Sequence, residues 1–301
     1  MSNLLLLAVC ILSGLILRKA GLVKREASIS LNTIIIYFFI PVLTLKYLPE
    51  IALQRAYIWV VICPWIIYLG SFFFFRSWQQ LFGLDRKTTG ALIMTGGIGS
   101  TSFVGFPVFE LLYGEEGLIA GIIMSLAGTV VVFNTLGVFT GFWYAESQPR
   151  FKLVLLRMLR FPPFLAFLLA LLLNILGYQH PEWLRNLLDA LSAPFNVLVL
   201  LTIGIQLSIE IDKSIVKDLL LGHFYKLLVA PTIIYIFLHL MMGDIGLVGK
   251  VCILGAAIGS MNSISIMAAQ WGLNPKLAIQ MPSIGIPLSI PWLLLIDYLL
   301  F

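Results

Sequence analysis

Predominantly apolar stretches of 15 to 27 residues recur from one end of this sequence to the other, and most are long enough to cross a hydrocarbon core of roughly 30 Å as helices. There are ten, at about 3–17, 30–48, 54–75, 88–112, 117–143, 153–177, 184–208, 217–241, 248–271 and 277–300. Inside a bilayer every backbone N–H and C=O must be satisfied internally, so runs of this length imply an all-α bundle. Composition agrees: 60% of the residues are hydrophobic, 11% are charged and mean hydropathy is +1.02, outside the range of a soluble globular chain. The expectation is an integral, multi-pass protein of the cell membrane. The first stretch has no basic segment or small-residue cleavage site before it, so it reads as a spanning helix rather than a signal peptide.

Charge sets the expected orientation. With the amino terminus outside, the cytoplasmic side holds Arg18, Lys19, Lys24, Arg25, Arg76, Arg86, Lys87, Arg150, Lys152, Arg157, Arg160, Lys213, Lys217 and Lys276, fourteen in all. The outer side keeps Lys46, Arg55, Arg185 and Lys250, and Lys226 falls within a span. Fourteen against four is a strong positive-inside bias, so both termini are expected outside. The formal charge of +5 then reflects topology and gives no footprint for nucleic acid. Cys10, Cys63 and Cys252 lack metal-ligand spacing and read as small hydrophobes.

The polar loop around 144–153 divides the ten spans into a first five-helix repeat at 1–143 and a second at 154–301. Five is odd, so the second half enters from the opposite side and the repeat must be inverted. Three features recur in phase. Pro41 in the second span answers Pro194 in the seventh, and the polar interruption Ile98-Gly99-Ser100-Thr101-Ser102 answers Ile258-Gly259-Ser260-Met261-Asn262. Each interruption is followed by glycine in a polar turn, at Tyr113-Gly114-Glu115 and Trp271-Gly272-Leu273.

These interrupted fourth and ninth spans are the candidate site. Four glycines and Pro107 fall between Thr95 and Pro107, and a proline removes a donor and clashes with the turn before it. Unwound backbone within the membrane must be buried in protein or line a cavity, so the two broken helices are expected to cross at a substrate site. The exposed amides of a half-helix start, together with hydroxyls, suit a carboxylate. Ser100, Thr101, Ser102, Phe103, Ser260, Asn262 and Ser263 are the expected substrate-binding residues, with Gly99, Gly105, Pro107 and Gly259 at the crossover or hinge. A stripe of small residues for close helix packing is the alternative reading of the glycines and serines.

The whole chain resembles a prokaryotic-type member of the auxin efflux carrier family, related in fold to the bile acid:sodium symporters. The resemblance rests on Ser100-Thr101-Ser102-Phe103-Val104-Gly105-Phe106-Pro107 followed by Tyr113-Gly114-Glu115-Glu116, on Leu31-Asn32 with Ile40-Pro41-Val42-Leu43, and on Ala193-Pro194 with Gly204-Ile205-Gln206-Leu207. The family pattern has Asn where Ser100 stands, Gly at Ser102, and a proline after Met261 where this chain has Asn262. The long central loop of plant members is absent. The resemblance implies a scaffold domain of helices one, two, six and seven, and a core transport domain of helices three to five and eight to ten. It further implies alternating access, a homodimer and transport of small organic acids.

Charged residues inside spans bear on coupling. His223 and Lys226 lie three apart on the eighth span and share a face. They are the candidate coupling or charge-compensating groups, with snorkelling to the interface the alternative for Lys226. Glu110, Asp189 and Asp297 fall near helix ends, and Asn32, Pro41, Asn134 and Pro194 are expected to support the cavity. The ninth span has no carboxylate from Val251 to Trp271, which argues against sodium coupling and leaves proton coupling or potential-driven flux. No metal, cofactor or enzymatic constellation stands out. The expected function is efflux or exchange of a small mono- or dicarboxylate; sodium-coupled organic-acid uptake, a channel and a non-transporting receptor are the alternatives.

Overall fold

A computed structural model describes residues 2–24, 26–145, 160–207, 212–243 and 245–301. Most of the expected 144–153 linker, and Arg25, Arg150, Lys152 and Arg157, lie outside the described residues. The described secondary structure is helical, apart from one isolated backbone bridge. In chain order the helices are α1 (Ser2–Lys19), α2 (Ala27–Glu50), α3 (Tyr57–Phe82), α4 (Arg86–Gly97), α5 (Thr101–Tyr144), α6 (Pro162–Ile175), α7 (Glu182–Gln206), α8 (Lys213–Met241), α9 (Leu247–Ala257), α10 (Asn262–Gln270) and α11 (Pro275–Leu300). Among the described residues, α2, α3, α5, α7, α8 and α11 are each long and apolar enough to cross a membrane. The protein is an integral, multi-pass membrane protein.

The chain forms two compact units. One comprises Met1–Gln54 with Leu156–Leu207, the other Arg55–Leu155 with Ser208–Phe301. In the first, α1 packs along the second half of α7. Gly14 and Gly204 face each other there: a Cβ on Gly14 would lie 2.2 Å from the Leu201 carbonyl oxygen, and one on Gly204 2.1 Å from that of Ile11. Two backbones in direct contact leave no room for a side chain. The far end of this unit is polar. Asn174 Nδ2 donates to the carbonyls of Leu48, Pro49 and Ile51 at 3.0, 3.1 and 2.7 Å, satisfying oxygens where α2 ends. Lys46 pairs with Asp189 at 2.8 Å and Arg185 with Glu50 at 3.0 Å.

The second unit is built from helices whose stops are local. Asp85 caps α4 by accepting from Thr88 N at 3.0 Å, and Asn274 Oδ1 accepts from Leu277 N at 3.3 Å at the start of α11. Outside the spans, Asp212 accepts from Ser214 N at 2.9 Å and Ser214 Oγ at 2.6 Å, and Lys276 pairs with it at 2.9 Å. Those contacts, the Ser214 bonds first, hold its carboxyl below the usual carboxylate range. Helix α5 is two limbs rather than one rod. Gly114 sits at φ 66°, ψ −152°, a conformation that L side chains rarely adopt, and the chain reverses its course along the helix there. Next to it Tyr113 OH donates to Asp297 of α11.

Prolines write a further signature into these helices. Among the described residues, wide π-type turns occupy Ile35–Phe39, Thr101–Gly105, Met124–Thr129, Phe133–Gly137 and Tyr225–Val229. Three of the five end two residues before a proline: Pro41, Pro107 and Pro231. In each, the residue just ahead of the proline donates five residues back: Ile40 to Ile35, Phe106 to Thr101, Ala230 to Tyr225. A proline ring crowds the carbonyl four residues before it, and the widened turn takes that carbonyl out of the way.

Candidate functional site

The two polar interruptions meet within the second unit. Helix α4 ends at Gly97, and Ile98 turns extended (φ −122°, ψ 115°); α9 ends at Ala257, and Ile258 does the same (φ −68°, ψ 135°). Gly99 and Ser260 then pair as an antiparallel bridge. Ser100 N donates to the Gly259 carbonyl at 2.9 Å and Met261 N to the Ile98 carbonyl at 3.1 Å. Ser260 Oγ donates to the Thr95 carbonyl at 2.7 Å, filling one of the acceptors that the end of α4 leaves open. Each break therefore supplies what the other lacks.

The sequence expectation of unwinding between Thr95 and Pro107 is narrowed by this geometry. The break itself is Ile98 to Ser100, and Pro107 lies beyond it in helix, accommodated by the wide turn at Thr101–Gly105. Gly96 and Gly97 are helical; they let α4 press onto α3, with a Cβ on Gly97 only 2.6 Å from the Tyr68 ring and one on Gly96 2.9 Å from Phe75. Gly105 likewise admits Phe109 and Ile258. On the other side Gly259 rests directly on the α11 backbone: its Cβ would stand 2.3 Å from the Gly285 carbonyl carbon. Gly96, Gly97 and Gly105 thus serve close packing within helix, while Gly259 both lies in the break and packs against α11.

A small cavity adjoins the bridge. Pro64 and Ile67 of α3, Gly97, Ile98, Gly99, Thr101, Met124, Thr129, Val132, Lys226 and Gly255 line it, and it has room for about one water molecule. Three of the wide turns contribute its polar or flexible lining: Thr101 from the first, Met124 and Thr129 from the second, Lys226 from the third. Thr101 Oγ1 and Thr129 Oγ1 are 3.4 Å apart, and the hydroxyls of Ser102 and Ser125 are 2.6 Å apart, joining the two limbs of α5.

Lys226 is the outstanding residue. It is 1% exposed, and its amine nitrogen has no hydrogen-bond partner among the described residues. Nζ stands 3.2 Å from where a Gly99 Cβ would be, a point also close to the carbonyl oxygens of Ile258 (3.2 Å) and Gly255 (3.5 Å). The side chain turns inward to the break and does not snorkel. The carbonyl end of α9 lies beside it with its negative dipole end. Its placement follows from Pro231, which forces the turn at Tyr225–Val229 and releases the Leu227 carbonyl; Trp292 Nε1 donates to that oxygen at 2.7 Å. Trp292→Phe is expected to leave this carbonyl without a donor and to lower stability by about 1–3 kcal/mol, read as a melting shift in detergent. An unchanged melt would show that the indole N–H holds nothing.

The other expected residues divide between the units. Ser100, Thr101, Phe103 and Ser260 are buried at the break, and Ser102, Asn262 and Ser263 are half-buried beside it. His223 is buried one turn before Lys226 and is not among the cavity's lining residues; its Nδ1 lies on the Leu219 carbonyl at 2.7 Å and its Nε2 faces Gly285, where Gly259 packs. Asn134 donates to Val130 O at 2.8 Å and does not line the cavity. Asn32, Pro41 and Pro194 belong to the other unit and are not among its lining residues. Thr95, Thr129 and Trp292 escape a reading of the sequence because their roles depend on partners 28 to 165 residues away.

The sequence matches the family described as Membrane transport protein over residues 1–296. It is 26% identical over 240 residues to an uncharacterized transporter of Methanocaldococcus jannaschii, covering 77% of this chain and 76% of that one. It is also 26% identical over 226 residues to an uncharacterized transporter of Methanothermobacter thermautotrophicus, covering 74% and 73%. An apolar multi-helix chain with two mutually paired helix breaks, matched along nearly its whole length, belongs to the membrane transport protein family.

Proposed function

We propose that the protein is a secondary transporter that exports or exchanges a small organic anion, a mono- or dicarboxylate, by alternating access at the paired breaks of α4–α5 and α9–α10. The observation that carries this reading is Lys226, a buried amine beside two helix breaks with no hydrogen-bond partner among the described residues. An unpaired buried charge costs several kcal/mol, and a carboxylate at the break would offset that cost. The helix start at Thr101 adds amide donors and a favourable dipole end. With room for about one water molecule, the cavity must open further to admit an organic acid.

The same reading takes the chain as ten spans in a 5+5 inverted repeat with both termini outside. The unit holding the breaks is the transport domain, and the unit of α1, α2, α6 and α7 is the scaffold through which two copies dimerise. The division of the chain into two compact units along those helices supports the split. The absence of a carboxylate in the segment 251–271 favours potential-driven or proton-coupled flux over sodium coupling.

Purified protein in proteoliposomes is expected to give saturable uptake of labelled organic acids with counterflow. Unitary currents would instead establish a channel, and failure to bind or move any acid of a broad panel would remove the carrier reading. Thr101→Val, which deletes a hydroxyl lining the cavity, is expected to weaken substrate affinity by roughly 1–2 kcal/mol, about 5–30-fold. Native affinity in that variant would put the substrate elsewhere.

A further inference from the structure

We propose that the site is built for a singly charged anion, because Lys226 supplies one positive charge and makes the loaded carrier electrically neutral. The inference rests on the anion-carrier reading and narrows it. Lys226 is the only charged side chain among the described residues that line the cavity. The remaining polar lining consists of backbone and the hydroxyls of Thr101 and Thr129, and these hydroxyls face each other. On the same helix, His223 is turned to Leu219 and Gly285, and the Tyr225 hydroxyl donates to the Ile67 carbonyl. One ammonium therefore meets one carboxylate. A second carboxylate on the same substrate would find no opposing charge among these lining residues, which a site shielded from water penalises heavily.

Charge neutrality has an electrical corollary. A loaded site of zero net charge crosses the membrane field without work. Exchange of one monoanion for another uses only the loaded form, so its rate is indifferent to membrane voltage.

The test is exchange by the full chain in proteoliposomes at neutral pH, with voltage set by a potassium gradient and valinomycin and protein-free vesicles as background. The probes are glycolate, lactate and 3-hydroxybutyrate against oxalate, malonate and succinate, pairs matched in carbon number. Exchange of monoanions is expected to exceed that of the matched dianions by about tenfold or more, and to change less than about twofold when 100 mV is imposed. Lys226→Gln leaves the loaded site negative; its residual monoanion exchange should become voltage-dependent, whereas Lys226→Arg keeps whatever exchange it supports indifferent to voltage. Should Lys226→Gln fail to fold, the charge preference and voltage response of the native protein and of Lys226→Arg still decide the matter. Dianions exchanged as fast as monoanions, or voltage-indifferent exchange in Lys226→Gln, would overturn the inference and leave the carrier reading standing. No exchange of any acid would overturn both.

Discussion

Gly259→Ala is expected to cost the protein about 3 kcal/mol or more and to lower both folded yield and melting temperature in detergent. The added methyl would lie 2.3 Å from the Gly285 carbonyl carbon, 2.4 Å from its oxygen and 2.5 Å from Ile286 N. All three are backbone atoms of α11, so no rotamer change can clear them; either α11 shifts or the break opens. Gly255→Ala is the matched comparison. Its methyl would crowd the Met124 thioether, at 2.5 to 2.6 Å, and touch Phe109 Cζ at an ordinary 3.8 Å, and methionine is a side chain well able to move aside. A milder loss at Gly255 than at Gly259 is the expected order. Equal losses would show that the backbone contact is not what makes Gly259 necessary.

In the other unit, Gly204→Ala is expected to be of similar severity, about 3 kcal/mol or more. The methyl would be 2.1 Å from the Ile11 carbonyl oxygen and 3.0 Å from the Gly14 Cα, and separating α1 from α7 is the only relief. Gly14→Ala attacks the same crossing from the opposite side, 2.2 Å from the Leu201 oxygen. Because both substitutions open one interface, the double variant should cost clearly less than the sum of the two singles. Full additivity in thermal melts would mean that the glycines pack independently.

Much of the architecture is legible in the sequence because membrane chains obey few rules. Length and hydropathy mark the helices, and glycine with clustered hydroxyls marks Ile98–Ser102 and Ile258–Asn262 as interruptions, of which Ile98–Ser100 and Ile258–Met261 leave the helix. What the sequence blurs is which residue does what. Pro107 reads as a helix breaker, yet the chain has already left the helix at Ile98 and uses the proline to hold a wide turn. Gly96 and Gly97 read as flexibility and serve as flat surfaces for Tyr68 and Phe75. Lys226 could be placed on a helix but not aimed, since its direction is set by Pro231 five residues on and by Trp292 on another helix. The recurrence of a wide turn ending two residues before Pro41, Pro107 and Pro231 is a local rule that sequence could have supplied. The Gly14–Gly204 contact is not, because neither residue signals its partner 190 positions away.

The bridge between Gly99 and Ser260 works as a buckle. The Ile98, Gly259 and Thr95 carbonyls are each fastened by a donor from the opposite segment, so neither segment can coil back into regular helix without stripping the other of its partners in a place where water is scarce. Local rewinding of one segment, the simplest imaginable gate, is therefore the most expensive motion open to this site. A motion that opened the cavity and kept these bonds would carry the closed buckle along intact, moving the helices around it as a block.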